Sequence, residues 1–338
     1  MTGTLVIEVH DAGVLAAGEE GVRGAPSPGY ALLDGERLRV GDDARRRARL
    51  LPRRVCHRFW HRLAGDDLDP PFDGLRPADL AHAHLQAVWQ AAGDAARSVI
   101  LAVPGCFSGG ELGLLLGIAG ALDMPVGGLV DLALAAASGR PEGRLLHLDL
   151  HLHRLVVSEI EHGRERLRRR IETSEDAGLV PLYDAWAHDA ARRFVRRTRF
   201  DPLHAAASEQ RLYDRLPACL AQLATAESAA LTLPAPQGEL TIELGLGDVV
   251  AAAEPFYRPL IGAVRSLAGG GATLLLARHV AALPGLRSRL AEAGYDAVPL
   301  PRGAAAAGVL RAEAAIRPPA GGAGGGLPFV TRLPREGA

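Results

Sequence analysis

Short apolar segments recur along the first part of the chain, and turn residues separate them. Residues 4–9 and 13–17 are two such segments on either side of a short turn, so they predict a strand hairpin. Residues 76–97 carry apolar side chains near helical spacing and predict a helix. Residues 99–103 are uniformly apolar and end at Pro104, a pattern that is typical of a buried strand.

The second part of the chain begins in the same way. Residues 144–157 predict a strand, a turn and a second strand. The segments at 272–276, 286–293, 297–300 and 303–314 then predict a strand, a helix, a strand and a helix in turn. A hairpin followed by alternating strands and helices therefore occurs twice. This repeat predicts two α/β lobes that face each other across a cleft.

The repeat also predicts the domain boundaries. We expect a first lobe over residues 1–140 and a second lobe over residues 141–316. Residues 317–338 are rich in glycine and proline, a composition that offers little apolar surface to offset the entropy of ordering. We therefore expect these last residues to form a flexible tail.

The basic residues of the 338-residue chain are unusual, because all 38 of them are arginine and the chain contains neither lysine nor asparagine. A P-loop lysine, a Schiff base and a lysine general base are thereby excluded. The formal net charge is −1, whereas a dedicated nucleic-acid binder normally carries a strong basic excess. Nucleic acid is therefore not an expected partner.

The cysteine content and the apolar segments indicate the compartment. Three widely spaced cysteines make neither a disulfide framework nor a paired zinc motif, and they suit a reducing environment. The N-terminus lacks the pattern of a signal peptide. The most apolar region, residues 112–137, is broken by two aspartates and a proline, whereas a bilayer-spanning helix needs about 20 apolar residues. We expect a cytoplasmic protein without membrane contact.

Several motifs occur in an order that resembles a known superfamily. Residues 99–104 resemble a strand that ends in Val-Pro, residues 146–160 a second phosphate hairpin, residues 274–286 an adenosine motif and residues 303–308 a closing helix. Together these motifs resemble the actin-like ATPases, and within them the nucleotide-binding domain of the 70-kDa heat-shock chaperones. The resemblance covers roughly residues 4–315. It implies an α/β, two-lobed actin-like ATPase fold, ribonuclease H-like in each lobe, with a central cleft.

The positions that would hold the nucleotide depart from the family's pattern. The family's first turn is Asp-Leu-Gly-Thr-Thr and its second is Asp-Leu-Gly-Gly-Gly-Thr, where this chain has Glu8-Val9-His10-Asp11-Ala12 and Asp149-Leu150-His151-Leu152-His153-Arg154. The adenosine motif's Gly-Gly is replaced by Arg278-His279, the connector's catalytic glutamate by Leu132, and the cleft lysine is missing. The residues that the resemblance assigns to the cofactor site are Glu8, His10, Asp11, Asp149, His151, His153, Arg278 and His279.

These replacements change what the turns can bind. A phosphate-binding turn aims backbone N–H groups at the anion, and glycine lets the ligand approach the backbone closely. An imidazole at each turn occupies that space. The resemblance together with the replacements therefore predicts a chaperone-like pseudo-ATPase that acts as a protein-interaction or scaffold module, with no bound cofactor. The alternative is an ATP-binding chaperone-type ATPase with a remodelled site and Mg²⁺, for which Glu8 and Asp149 are the candidate carboxylates.

A third interpretation is a metal site. His147, Asp149, His151 and His153 alternate, so on a continuous strand their side chains share one face. Imidazole and carboxylate are good ligands for a divalent metal, and Asp149, His151 and His153 are the predicted set. The competing interpretation is a polar strand face in a cleft that has lost its ATP function.

Overall fold

The computed structural model describes residues 3–93, 96–175, 177–269, 271–318 and 326–335. In the first part of the chain, the apolar segments predicted at residues 4–9, 13–17 and 99–103 form strands. The strands of this part are β1 (Thr4–Glu8), β2 (Val14–Gly18), β3 (Gly21–Ser27), β4 (Ala31–Asp34), β5 (Arg37–Val40), β6 (Val55–Cys56), β7 (Ser98–Val103) and β8 (Val126–Asp131). The helices of this part are α1 (Asp42–Arg45), α2 (Pro77–Ala92), α3 (Gly109–Ala121) and α4 (Leu132–Ala136).

The second part contains longer hairpins and a helical insertion. Its strands are β9 (Gly143–Leu150), β10 (Leu155–His162), β11 (Glu165–Ser174), β12 (Ser228–Ala235), β13 (Gly238–Gly245), β14 (Thr273–Leu276), β15 (Ala297–Pro299), β16 (Phe329–Val330) and β17 (Arg332–Pro334). Its helices are α5 (Leu179–Thr198), α6 (Ala206–Gln222), α7 (Leu246–Ala268), α8 (Arg278–Ala281), α9 (Leu286–Glu292), α10 (Ala304–Arg311) and α11 (Glu313–Ile316).

Two mixed six-stranded sheets have the same strand order. The first runs β3-β2-β1-β7-β8 and the second runs β11-β10-β9-β14-β15, each with one short strand added at an edge. The first three strands of each sheet are antiparallel, and the last two run parallel to the central strand. The predicted α/β class is therefore confirmed. The boundaries at residues 140 and 316 stay predictions.

The candidate functional site lies on the side of the sheets where β1 and β9 end. Each of these central strands is followed by a tight turn and an antiparallel return strand, so the two turns project beyond the sheets. After their first residues, Ser98 and Thr273, the parallel strands β7 and β14 are buried and apolar, as is typical of strands covered on both faces.

The two sheets share part of one hydrophobic core. One cluster of buried side chains combines Val6 and Ile100 of the first sheet with Leu145 and Leu275 of the second, around α4 and α10. These two helices cross closely at Gly308, where a Cβ would overlap the carbonyl oxygen of Ala135. This shared core fixes the relative position of the two central strands.

The C-terminal segment differs from the prediction. Residues 326–335 are not a free tail, because β16 pairs with β8 and β17 pairs with β11, so the segment adds a strand to each sheet. Leu333 is fully buried. The many glycines and prolines of the segment hid the three apolar side chains of its strands, Phe329, Val330 and Leu333. The edges of the two sheets supply hydrogen-bond partners for the backbone groups of the segment. The rest of the predicted tail, 319–325 and 336–338, lies outside the described residues.

None of the helices in the described part of the chain is both long enough and apolar enough to cross a bilayer.

We predict that the C-terminal segment stabilises the fold. Leu333→Ala should lower the free energy of unfolding by about 2–4 kcal/mol, because it removes a fully buried side chain and leaves a cavity. Leu50→Ala is the matched control, since Leu50 is 42% exposed, and it should change stability by less than about 0.5 kcal/mol. Urea unfolding measures both. Equal effects of the two substitutions would show that the segment is not docked.

A second prediction concerns His84 on α2, which is fully buried. Its Nδ1 accepts a hydrogen bond from Trp60 Nε1 at 2.9 Å, and its Nε2 lies 2.8 Å from Ser27 Oγ. Burial lowers the pKa of His84 from 6.5 to about 4. Between these values the unfolded chain binds a proton that the native protein does not, so stability falls as the pH is lowered through this window.

Removing this titration should make the protein less sensitive to acid. Between pH 8 and 5.5, His84→Gln should lose about 1.4 kcal/mol less unfolding free energy than the parent chain, because one group with this shift has been removed. Glutamine retains one donor and one acceptor for the two partners. Identical losses in both proteins, measured by urea unfolding at the two pH values, would contradict a neutral buried His84.

Candidate functional site

The two turns at the ends of β1 and β9 meet in the cleft. In the first turn the amide of Gly13 donates to the carbonyl oxygen of His10 at 2.9 Å, and in the second the amide of His151 donates to that of Arg154 at 2.8 Å. Both turns are closed by their own backbone hydrogen bonds. The side chains at their tips are histidines and aspartates, and these side chains contact one another across the cleft.

Asp149, the penultimate residue of β9, is the centre of these contacts. Its Oδ1 atom accepts hydrogen bonds from His10 Nε2 at 2.8 Å and from the Leu150 amide at 2.8 Å. His279 Nε2 lies 3.2 Å from the same oxygen and 2.9 Å from the carbonyl oxygen of Leu150. Burial opposes ionisation of Asp149, but His10 and His279 hold the pKa of its carboxyl well below the ordinary value. Asp149 is therefore a buried carboxylate that histidines stabilise.

The backbone partners determine which nitrogens carry protons. The Ala12 amide donates to His10 Nδ1 at 3.1 Å, so the proton of a neutral His10 is on Nε2, which faces Asp149. The carbonyl of Leu150 can only accept, so His279 Nε2 also carries a proton. Burial lowers the pKa of His10. Burial also opposes protonation of His279, but the hydrogen bond and negative charge of Asp149, together with the Leu150 carbonyl, outweigh burial and raise the pKa of His279. Both histidines thus act as hydrogen-bond donors to the carboxylate.

Asp11 and His151 form a second buried pair beside the first. Asp11 Oδ1 accepts the Leu152 amide at 2.9 Å and lies 3.2 Å from His151 Nδ1. Burial raises the pKa of the Asp11 carboxyl, but the contacts with His151 outweigh that effect and lower it. The His151 and His10 rings lie 4.3 Å apart between centroids. Through these contacts, His10 and Asp11 of the first turn both face His151 of the second turn.

The predicted metal set is divided by the structure. β9 ends at Leu150, so the alternation that would put Asp149, His151 and His153 on one face does not continue into the turn. His153 Nε2 instead lies 2.7 Å from His57 Nδ1, and the two rings stack. Among the described residues, the set whose ligand atoms lie within 4.8 Å of one another is His10, Asp149 and His279. The first turn contributes His10 to this set and α8 contributes His279, whereas neither His151 nor His153 of the second turn belongs to it.

A cavity of about 370 Å³ adjoins Asp149. Its lining includes residues of the first turn, of β9, of α4 and of the α8 and α10 N-termini, among them Glu8, His10, Leu132, His147, Asp149, Arg278 and His279. Glu8 accepts the Ala306 amide at 2.7 Å, and burial raises its pKa to about 7. Burial lowers the pKa of His147 to about 4. All the predicted cofactor-site residues except Asp11, His151 and His153 therefore line one cavity.

A second cavity of about 360 Å³ lies on the other side of the first turn. It shares Ala12, Pro26 and His279 with the first cavity and is lined by three tyrosines. At this cavity Arg49 lies 2.5 Å from Asp184 of α5, and its amide donates to Gln210 of α6 at 2.9 Å. These contacts across the cleft could not be predicted, because no local pattern relates residues more than a hundred positions apart.

Other residues that the sequence offers for chemistry have structural roles. Burial raises the pKa of the Cys106 thiol to about 11, so this side chain is a poor nucleophile. Phe59 and Trp60 are core side chains of the first lobe, and Trp60 donates to His84.

We predict that the contacts of Asp11 stabilise the closed cleft. Asp11→Ala should lower the free energy of unfolding by about 3 kcal/mol, because it leaves the Leu152 amide and His151 buried without an acceptor. Asp43→Ala removes an exposed ion pair with Arg39 and should cost less than about 1 kcal/mol. Denaturant unfolding compares the two variants. An effect of Asp11→Ala no larger than that of the control would refute the contact.

The chain matches no protein-family model and no curated protein. The function must therefore be argued from the fold and from the site's own chemistry.

Proposed function

We propose that this protein is a chaperone-like pseudo-ATPase with a two-lobed, actin-like fold, and that it acts as a protein-interaction or scaffold module. The repeated strand order supports the fold assignment. Three antiparallel strands followed by two strands parallel to the central one is the arrangement of a ribonuclease H-like lobe, and the chain contains it twice. The motifs that resemble the heat-shock chaperones fall at corresponding places in the two sheets.

The observation that carries the proposal is the state of Asp149. In an ATPase of this type the corresponding carboxylate is expected near the Mg²⁺ of the bound nucleotide. Here one oxygen of Asp149 already accepts His10 and the Leu150 amide and lies within 3.2 Å of His279. A Mg²⁺–phosphate group that binds this oxygen would have to displace these donors. Since hydrogen bonds to a buried charge are among the stronger ones, that displacement is unfavourable.

The side chains at the turns add a steric argument. Phosphate binding in this fold needs backbone N–H groups that the ligand can reach. The rings of His10 and His151, tilted by 32° with centroids 4.3 Å apart, occupy the space between the two turns. Leu132, at the position of the catalytic glutamate, cannot polarise a water molecule, and the chain has no lysine to stabilise a transferring phosphoryl group. Both binding and hydrolysis should therefore be impaired.

The contacts between the lobes support a scaffold rather than a nucleotide-driven machine. His10 with Asp149, Asp11 with the Leu152 amide, and Arg49 with Asp184 all join the first lobe to the second. A nucleotide cycle would have to break and remake these buried contacts. Without such a cycle, a protein of this fold acts through the surfaces it presents, and a protein is the partner that the proposal implies.

We predict that Mg-ATP does not bind tightly. Titration calorimetry of the full chain, freed of metal by a chelator and then supplied with Mg²⁺ alone, should give a Kd weaker than about 100 μM, an affinity of only about −5.5 kcal/mol. Phosphate release should stay at the background rate, because the groups that stabilise phosphoryl transfer are missing.

Two outcomes would overturn the proposal in favour of an ATP-binding chaperone-type ATPase with a remodelled site. One is micromolar binding of Mg-ATP. The other is phosphate release that Asp149→Ala abolishes and that the exposed control substitution Asp43→Ala leaves intact. Circular dichroism of both variants would establish that they are folded.

A further inference from the structure

The cleft contains two buried carboxylates whose ion-pair partners are histidines. Asp11 is 4% exposed and Asp149 is 3% exposed. In the described part of the chain, only histidines lie within ion-pair distance of these two carboxylates. A buried carboxylate is costly unless a positive charge compensates it. A cation held between Asp149 and the histidines beside it would supply such a charge.

The donor atoms around Asp149 specify the kind of cation. Two imidazole nitrogens and one carboxylate oxygen, from His10, His279 and Asp149, lie within 4.8 Å of one another. Imidazole suits Zn²⁺, Fe²⁺, Co²⁺ and Ni²⁺, whereas Mg²⁺ and Ca²⁺ prefer oxygen ligands throughout. The adjoining cavity leaves room for water as further ligands, and His147 lines the same cavity. The set therefore favours a transition metal over the hard cations that accompany nucleotides.

We propose that His10, Asp149 and His279 bind one divalent first-row transition metal ion of the Zn²⁺ class at the inner end of the cleft. The three ligands come from three places in the chain: the first turn, β9 and the start of α8. The site exists only when both lobes are folded together. It is independent of the pseudo-ATPase proposal, because a transition metal could bind here whether or not ATP does.

Binding requires a defined rearrangement of protons. Each coordinating Nε2 must give up its proton, and in a neutral imidazole that proton moves to Nδ1. His10 Nδ1 now accepts the Ala12 amide, so this hydrogen bond has to break when the metal binds. The turn that contains Ala12 should therefore change conformation. The Ala12 amide is a local reporter of occupancy that surface-bound metal would not affect.

The test is calorimetry of the chelator-treated full chain with Zn²⁺, Co²⁺ and Mg²⁺ as separate probes. We expect one equivalent of Zn²⁺ or Co²⁺ to bind, Mg²⁺ to bind at least about 100-fold more weakly, and the Ala12 amide signal to shift in nuclear magnetic resonance spectra. His279→Ala should weaken Zn²⁺ binding at least about 10-fold, since it removes one ligand. His279 is the ligand with the most exposed side chain, at 35%, so this variant is the one best suited to fold.

Two controls make the result specific. His188→Ala removes an exposed histidine of α5 and should leave Zn²⁺ affinity unchanged. The double variant His151→Ala with His153→Ala removes two members of the set predicted from the alternation, and it should retain one equivalent of Zn²⁺. Three results would each overturn the proposal: no stoichiometric Zn²⁺ or Co²⁺ binding to the parent chain, binding that His279→Ala leaves unchanged, or binding that only the double variant abolishes. Thermal unfolding of every variant would verify that it is folded.

Discussion

A single buried carboxylate, Asp149, is the constraint on which the cleft depends. It is the penultimate residue of a central strand of the second sheet, and an ionised group at 3% exposure must be compensated by donors or by a cation. His10 reaches it from the first turn and His279 from the start of α8. The positions of the first turn and of α8 follow from this requirement, since each presents a histidine to the same oxygen. Asp11 and His151 form a second buried carboxylate–histidine pair beside Asp149.

The common core of the two sheets makes this solution possible. α4 and α10 pack between the sheets and bury side chains from both, so the ends of β1 and β9 are held at a fixed separation. The C-terminal strands β16 and β17 join the outer edges of the same two sheets. Movement of one sheet relative to the other would disturb the core, the edge strands and the Asp149 contacts together. This coupling is why we favour a scaffold over a nucleotide-driven cycle.

The sequence predicts what is local and misses what is remote. The α/β class, the hairpins at residues 4–17 and 144–157 and the helix predicted within residues 76–97, which is α2, follow from neighbouring residues. The structure does not bring Asp149, His151 and His153 together. Alternating residues share a face only within a continuous strand, and β9 ends at Leu150. His279 lies near Asp149 because β14, which precedes α8, pairs with β9. No local periodicity in the sequence predicts that pairing. The C-terminal strands were missed because glycine and proline dominated the composition of the segment.

The most direct test of the contact between His10 and Asp149 is a double-mutant cycle on these two residues in metal-free protein. His10→Ala, Asp149→Ala and the double variant would be compared with the parent chain by denaturant unfolding. Because the two side chains form a buried, charge-assisted hydrogen bond across the cleft, their coupling energy should be about 1–3 kcal/mol. Effects that add to within about 0.5 kcal/mol would contradict the contact, and with it the claim that the protein's own histidines stabilise the Asp149 carboxylate.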